Sequence, residues 1–315
     1  MPLISFIIPV YNVAPYIREC LDSILSQSEA DYELCIVDDG STDGSGTICD
    51  DYAARFPGKV KLRHQANQGV SVARNKCLDM STGDYVWFVD GDDYILPDAL
   101  DYLSRVLRQG VGDTIFFGNK KYSANCDIKT ETGDKENFLV RRMSYLNPAI
   151  IFNRNIIEKN TIRFTPGMKM GEDLEFQYKY LIQCSSPVAI DFNFYFVRER
   201  EGSASRNAKT ERANYESCQV LLSNMAKHLS LLNYKGISWM TPRLSERFKS
   251  MLRSASTLDS VKKSEVKRVY RDLIKSFKLL GYSQIDSGSL KIANISISAY
   301  YILYRLVLRL KSLIG

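Results

Sequence analysis

Apolar runs and amphipathic stretches alternate along the first 120 residues. Residues 3–10 (LISFIIPV) form an almost unbroken apolar run, as expected of a strand covered on both faces. Residues 12–27 instead set Ile17, Leu21, Ile24 and Leu25 on one side at helical spacing. The same alternation predicts strands at 33–39 (ELCIVDD), 59–65 (KVKLRHQ), 84–90 (DYVWFVD) and 113–119 (DTIFFGN). Between them it predicts helices through Ile48, Tyr52 and Phe56, over 70–80 and over 97–110, the last opened by Pro97 and stopped by Gly110. Strands rich in Ile, Val and Phe, separated by amphipathic helices, imply an α/β fold: a doubly wound, mainly parallel sheet flanked by helices.

From about residue 123 the pattern loosens. A short strand and helix are expected over 149–160, a helix over 171–184 and a strand over 188–200. Beyond Ser205 the chain reads as helical and carries no further chemistry-bearing cluster. The expected organisation is a domain over 1–205 and a basic helical C-terminal region over 206–315.

Composition refines this picture. A hydrophobic content of 45% over 315 residues supports a large core. The seven cysteines (Cys20, Cys35, Cys49, Cys77, Cys126, Cys184, Cys218) are scattered and form no C-x-x-C pair. That usage points to reduced, buried thiols of a cytoplasmic protein rather than to disulfides or a zinc site. The opening MPLISFIIPVYN lacks a basic n-region and meets Pro9 early, so no signal peptide is expected. The net charge of +6 is unevenly spread: residues 207–315 hold 19 Lys/Arg against 7 Asp/Glu, and the preceding 206 hold 23 against 29. A slightly acidic body with a basic tail implies that the tail faces something anionic. No aromatic-basic stretch of an RNA-recognition kind accompanies it, so nucleic acid is not the expected partner.

In open α/β sheets, ligands bind beyond the carboxyl ends of the strands. Those ends carry PVYN (9–12), VDDGSTDGS (37–45), HQANQG (64–69) and VDGDD (89–93), four polar clusters converging on one edge. In VDGDD three carboxylates, Asp90, Asp92 and Asp93, fall within four positions. Acids so close together suit a hard divalent cation, Mg2+ or Mn2+, which clamps a diphosphate. Gly91 allows close backbone approach. Taken alone, D-G-D reads more readily as a polar turn ending a strand, and VDDGSTDGS equally as a turn with a capped helix. An EF-hand is a poor fit, because the twelfth position counted from Asp90 is Asp101 and Pro97 falls inside the loop. Asp39 can accept an N–H from a base, while Asn67 and Arg74 in NQGVSVARN offer an amide and a fixed cation. Glu172 and Asp173 stand at a predicted helix N-terminus, where acids are stabilised in any case.

Taken in order, P-V-Y-N, V-D-D-G-S-T-D, N-x-G-x-x-x-A-R-N, D-G-D-D and G-E-D resemble the inverting glycosyltransferases of family 2, which have the GT-A fold. The resemblance covers roughly the first 205 residues and leaves the basic tail uncovered. It implies that Pro9, Tyr11 and Asp39 line a nucleoside pocket and that Asn67 and Arg74 hold the base. Asp90 would contact ribose or metal, with Gly91 between it and Asp92, the principal Mn2+ or Mg2+ ligand. Asp173, preceded by Glu172, would be the general base. REREGSAS (198–205) resembles the family's loop over the diphosphate, which singles out Arg200 and Ser203. The chain has no histidine beside that loop, its only two being His64 and His228, so a second protein metal ligand is not assured.

The implied reaction takes a nucleoside-diphosphate sugar, a UDP-sugar first, and a glycan or lipid-linked glycan acceptor in assembly of a bacterial polysaccharide. A sugar-nucleotide pyrophosphorylase would instead need a G-x-G-T-R-type loop where this chain has PVYNVAPY. A non-catalytic nucleotide-binding module would tolerate loss of Asp92 or Asp173, and both are present. The end of the chain, SAYYILYRLVLRLKSLIG, sets Arg305 and Arg309 among leucines. Each arginine at a bilayer centre is disfavoured by about 2.5–3.5 kcal/mol, so peripheral contact with an anionic membrane at its cytoplasmic face is expected rather than a span. Packing of this helix on the catalytic domain, or on a second subunit in a homodimer, is the alternative.

Overall fold

The computed structural model describes residues 2–28, 31–117, 130–131, 135, 139, 149–190, 193–198, 211–232, 234, 240–258 and 261–280. The chain forms two compact units, Met1–Gly167 with Lys179–Arg200, and Met168–Tyr178 with Glu201–Gly315.

The first unit begins as the alternation predicts: β1 (Ile4–Val10), α1 (Ala14–Leu25), β2 (Tyr32–Asp38), α2 (Ser45–Arg55), β3 (Val60–His64), α3 (Val70–Met80) and β4 (Tyr85–Phe88). These are followed by β5 (Tyr94–Ile95), α4 (Ala99–Arg108), β6 (Thr114–Phe117), β7 (Thr130–Glu131), β8 (Ile150–Asn153), α5 (Arg154–Lys159), β9 (Pro187–Ile190) and β10 (Tyr195–Phe196). Among the described residues the main sheet has the order β3-β2-β1-β4-β8-β6-β9-β7. Its first four strands are parallel, with Ile4 beside Tyr32 and Tyr85.

Beyond β4 the sheet departs from a simple parallel order. β8 inserts antiparallel between β4 and β6, and β9 then runs parallel to β6. The apolar stretch 188–200 is not one strand. β9 ends at Ile190, and the chain leaves the sheet to pair β10 antiparallel with β5, Tyr195 opposite Ile95. A local turn leads into β10: the Asn193 side-chain oxygen accepts the Tyr195 N–H at 3.1 Å.

Alternate residues of β1 explain why the run is apolar throughout. Ile4, Phe6, Ile8 and Val10 enter one core with Ile17, Leu21 and Ile24 of α1 and Leu100, Leu103 and Leu107 of α4. Trp87 is fully buried there, 5.3 Å from the Phe6 ring and 5.4 Å from Phe117. On the other face α3 packs across β1 and β2, burying Ala73, Cys77 and Leu78. Each fully buried Leu or Ile side chain contributes about 1.5–3 kcal/mol. Cys20, Cys35, Cys49, Cys77, Cys184 and Cys218 are buried free thiols, and burial pushes those of Cys35 and Cys49 up to about 12.

The helix α6 (Glu172–Gln183) spans both units, its first half belonging to the second. The second unit continues as α7 (Glu211–Leu231), α8 (Thr241–Thr257) and α9 (Lys263–Leu279). Phe248 of α8 meets Tyr270 and Phe277 of α9 edge-on at 5.8 and 5.6 Å. The Asn214 side-chain amide bonds Ser250 and Ser254, and that of Asn224 donates to buried Glu175 at 2.8 Å. Among the described residues no helix is long and apolar enough to cross a membrane. The segment expected at a membrane surface, 298–315, lies outside the described residues.

Candidate active site

The first two βα loops are tied together at the carboxyl end of the sheet. Asn12, at φ 51°, accepts the Thr42 N–H on its side-chain oxygen at 2.8 Å, and its own N–H donates to the Ser41 hydroxyl. The free backbone donors at the start of α1 are capped from the start of α2 and the loop before it: Val13 N–H by the Ser45 hydroxyl at 2.9 Å, and Ala14 N–H by Asp43 at 2.8 Å. Pro9 is half-buried and Tyr11 is 48% exposed, so the Tyr11 ring is open to a ligand beside this junction.

Asp38 and Asp39 are both buried, and the protein occupies them differently. Asp39 Oδ1 accepts the Gln65 side-chain amide at 2.5 Å and the Gln68 N–H at 2.8 Å, while Oδ2 accepts the Gly69 N–H at 2.8 Å. It therefore holds the loop that carries the exposed Asn67. Gly40 meets the same loop: a Cβ there would lie 2.9 Å from the Asn67 nitrogen, and its φ of 75° favours glycine in any case. Asp38 accepts Ser41 N–H on Oδ1 and meets His64 Nδ1 at 3.0 Å through Oδ2. His64 Nε2 lies 3.0 Å from Asp50, so two carboxylates bracket one imidazole. Hydrogen bonding to Asp38, then Asp50, raises the His64 pKa against partial burial.

The D-G-D loop follows β4. Arg74, its side chain only 9% exposed, donates to Asp90 Oδ1 at 2.8 Å and lies over the Phe164 ring at 5.3 Å. Arg74 and Asp90 are thus brought together, and the cation is spent first on the acid. Gly91 is buried against α1, where a Cβ would crowd Ile17, Val13 and the Pro9 carbonyl at 3.3–3.4 Å. Asp90 and Asp92 are half-buried, the Asp90 side chain being 39% exposed. Asp93 is different: it is 5% exposed, and its carboxylate accepts the Tyr195 hydroxyl at 2.7 Å and the Arg198 N–H at 2.8 Å. Burial pushes Asp93 up to about 7 against those two bonds, and Asp90 and Asp92 add repulsion.

Two oxygen ligands, Asp90 and Asp92, suit a hard cation that completes its shell with phosphate oxygens and water. Among the described residues no group of three or more His, Cys, Asp or Glu is placed to hold a metal ion. Glu172 and Asp173 are half-buried in the first turn of α6, in the second unit, and Asp173 Oδ1 accepts the Leu174 N–H at 2.7 Å. Arg200 and Ser203 lie outside the described residues. Gln65, Asp43, Ser45, Tyr195 and Arg198 were not legible as site residues. Asp43 and Ser45 fall in VDDGSTDGS, Gln65 in HQANQG and Arg198 in REREGSAS, but nothing in those stretches marks these side chains out.

A parallel sheet with loop clusters converging on its carboxyl edge, and an acid pair there, defines a GT-A-type nucleotide-sugar fold. The model of the family "Glycosyl transferase family 2" matches residues 5–172, and the chain belongs to that family. It is 30% identical over 217 residues to the uncharacterized glycosyltransferase EpsJ of Bacillus subtilis, covering 64% of this chain and 63% of EpsJ. It is 29% identical over 253 residues to a poly(ribitol-phosphate) beta-glucosyltransferase of Bacillus spizizenii, covering 78% of this chain and 40% of that protein. The chain thus spans less than two thirds of the length of these relatives. Its fold matches the crystal structure of Staphylococcus aureus TarS 1–349 in complex with UDP-GlcNAc, with a TM-score of 0.72 and 22% identity, over 98% of this chain and 92% of that one.

Proposed function

We propose that this chain is an inverting glycosyltransferase that moves a sugar from a UDP-sugar to an acceptor hydroxyl on a growing surface polysaccharide. The observation that carries the reading is the meeting of four loop clusters at one sheet edge, with Asp90 and Asp92 partly open and Asp90 paired to buried Arg74. Family membership supports the reaction class, and the TarS likeness, with UDP-GlcNAc bound in that protein, supports a UDP donor. The poly(ribitol-phosphate) transferase relative supports a polymer acceptor.

Tyr11 and Asn67 flank the nucleoside, with Asp39 holding the Asn67 loop in place. Asp92, with Asp90 beside it, would hold Mn2+ or Mg2+, which supplies charge neutralisation for the departing diphosphate. Arg200 and Ser203 are assigned to the diphosphate by sequence resemblance alone. Asp173 takes the proton from the acceptor hydroxyl as that oxygen attacks the anomeric carbon from the face opposite the diphosphate. No general acid is assigned, because a nucleoside diphosphate is a good leaving group that departs without protonation. The sugar is therefore inverted.

A screen of nucleoside-diphosphate sugars with Mn2+, reading nucleoside diphosphate release, tests the reading. One UDP-sugar should be turned over, and Asp173→Asn should cut turnover by about 100-fold or more, the usual contribution of a positioned base. UDP affinity should stay within a few-fold in that variant. Activity retained above about a tenth in Asp173→Asn removes Asp173 from the base role.

A further inference from the structure

The family motifs include Asp90 and Asp92 but not Tyr195, which holds their loop from behind. The groups that hold that loop come from one short segment around β10. The Tyr195 hydroxyl has a single hydrogen, and its two contacts settle its orientation. It donates to Asp93 Oδ2 at 2.7 Å and accepts the Asp90 N–H at 3.1 Å. Three residues on, Arg198 donates its N–H to Asp93 Oδ1 at 2.8 Å and its Nε–H to the Asp92 carbonyl at 3.1 Å. The guanidinium is itself fixed by Glu19 of α1 and lies over the Tyr16 and Tyr94 rings at 5.3 and 5.5 Å.

Asp93 thus has both oxygens occupied by the protein and is 5% exposed, so it is no surface ligand for a cation. Its use is to hold the Tyr195 hydroxyl, which in turn fixes the backbone nitrogen of Asp90. We infer that Tyr195 is a positioning residue of this active site, and that its hydroxyl, locked on Asp93, sets the 90–93 backbone that presents Asp90 and Asp92 to the metal-bound diphosphate. The inference rests on the proposed donor reading. It also joins the acid loop to the segment that leads into residues 199–205.

Tyr195→Phe removes only the hydroxyl and keeps the ring beside Trp87, 6.5 Å away. Tyr180→Phe is the control: it removes an equally buried hydroxyl, bonded to Thr114 and the Asn153 N–H, at the other end of the sheet. In the metal-free protein, amide exchange over residues 89–93 should quicken about tenfold in Tyr195→Phe, as expected when a buried N–H loses its acceptor. Calorimetry should show the Mn2+ concentration needed for half-maximal UDP binding rising by about tenfold. Tyr180→Phe should change neither. Asp93→Asn, which keeps the shape but replaces one acceptor oxygen by a donor, carries the same expectation if Tyr195→Phe does not fold. Unchanged exchange and unchanged Mn2+ midpoint in Tyr195→Phe, or equal changes in Tyr180→Phe, would overturn the inference. Absence of Mn2+-dependent UDP binding in the unaltered chain would instead overturn the donor reading beneath it.

Discussion

A single buried carboxylate and a cluster of carboxylates stand at opposite ends of the same four parallel strands. At the amino end, Glu33 is buried and its oxygens are taken up by the protein. They accept the Ser5 hydroxyl at 2.7 Å and the Thr82 N–H at 2.6 Å, and pair with Lys61 at 2.6 Å. Burial alone would raise its pKa, yet Lys61, Ser5 and Thr82 together hold it below the usual carboxylate range. Gly83 is part of the same arrangement, since a Cβ there would strike Ser5 at 2.7 Å. At the carboxyl end, the Asp90 side chain is 39% exposed, against 5% for Glu33. A buried acid whose lone pairs are all filled from within is architecture, whereas an acid left open beside a buried cation is material for a site. By this rule the carboxyl end itself divides. Asp38, Asp39 and Asp93 are buried and hold loops, exposed Asp43 caps the start of α1, and Asp90 and Asp92 stand half-buried beside them.

The largest expected effect falls at the amino end. Glu33→Ala removes the buried acceptor shared by Ser5, Thr82 and Lys61 and should lower stability by about 2–3 kcal/mol in urea unfolding. UDP affinity of the folded protein should not change. A loss of affinity without loss of stability would break the division between the two ends.

A smaller effect tests the loop-holding acids. Protonated His64 donates to both Asp38 and Asp50, whereas the neutral ring has one N–H and can serve only one of them. Its pKa is raised in the folded state, so its contribution to stability is complete below the ordinary histidine value and is lost as pH rises through the raised one. The stability of the unaltered chain over His64→Gln should therefore shrink as pH rises above the ordinary histidine value. Because the His64 side chain is 46% exposed, the change should stay under about 1 kcal/mol. A difference that is flat with pH would remove the charged bracket.

The strands and helices of the first 120 residues were legible because burial on two faces, or one, imposes its own period on the sequence. The order of the sheet beyond β4 was not, since an apolar run such as that of β8 does not say which neighbour it pairs with. Nor does the pattern of 188–200 show where the chain leaves the sheet, and that departure is what brings Tyr195 beneath the acid loop. Asp90 and Asp92 stood out because repelling acids need a reason to be adjacent. Asp93 looked identical to them, and only its contacts with Tyr195 and Arg198 separate it from the pair. Asp39 was legible as an acceptor, but its three donors come from residues 65–69, brought to it by the β2–β3 pairing.

The role of the half-buried pair Asp90 and Asp92 is tested most directly by titrating UDP into Asp92→Ala and into the unaltered chain, with and without Mn2+. The expected result is that Mn2+ strengthens UDP binding in the unaltered chain and has no effect in Asp92→Ala, whose melting temperature is unchanged or slightly higher because one of three repelling carboxylates is gone. Equal Mn2+-dependent affinity in the two proteins would contradict it, and would leave the D-G-D stretch as a turn at the end of a strand.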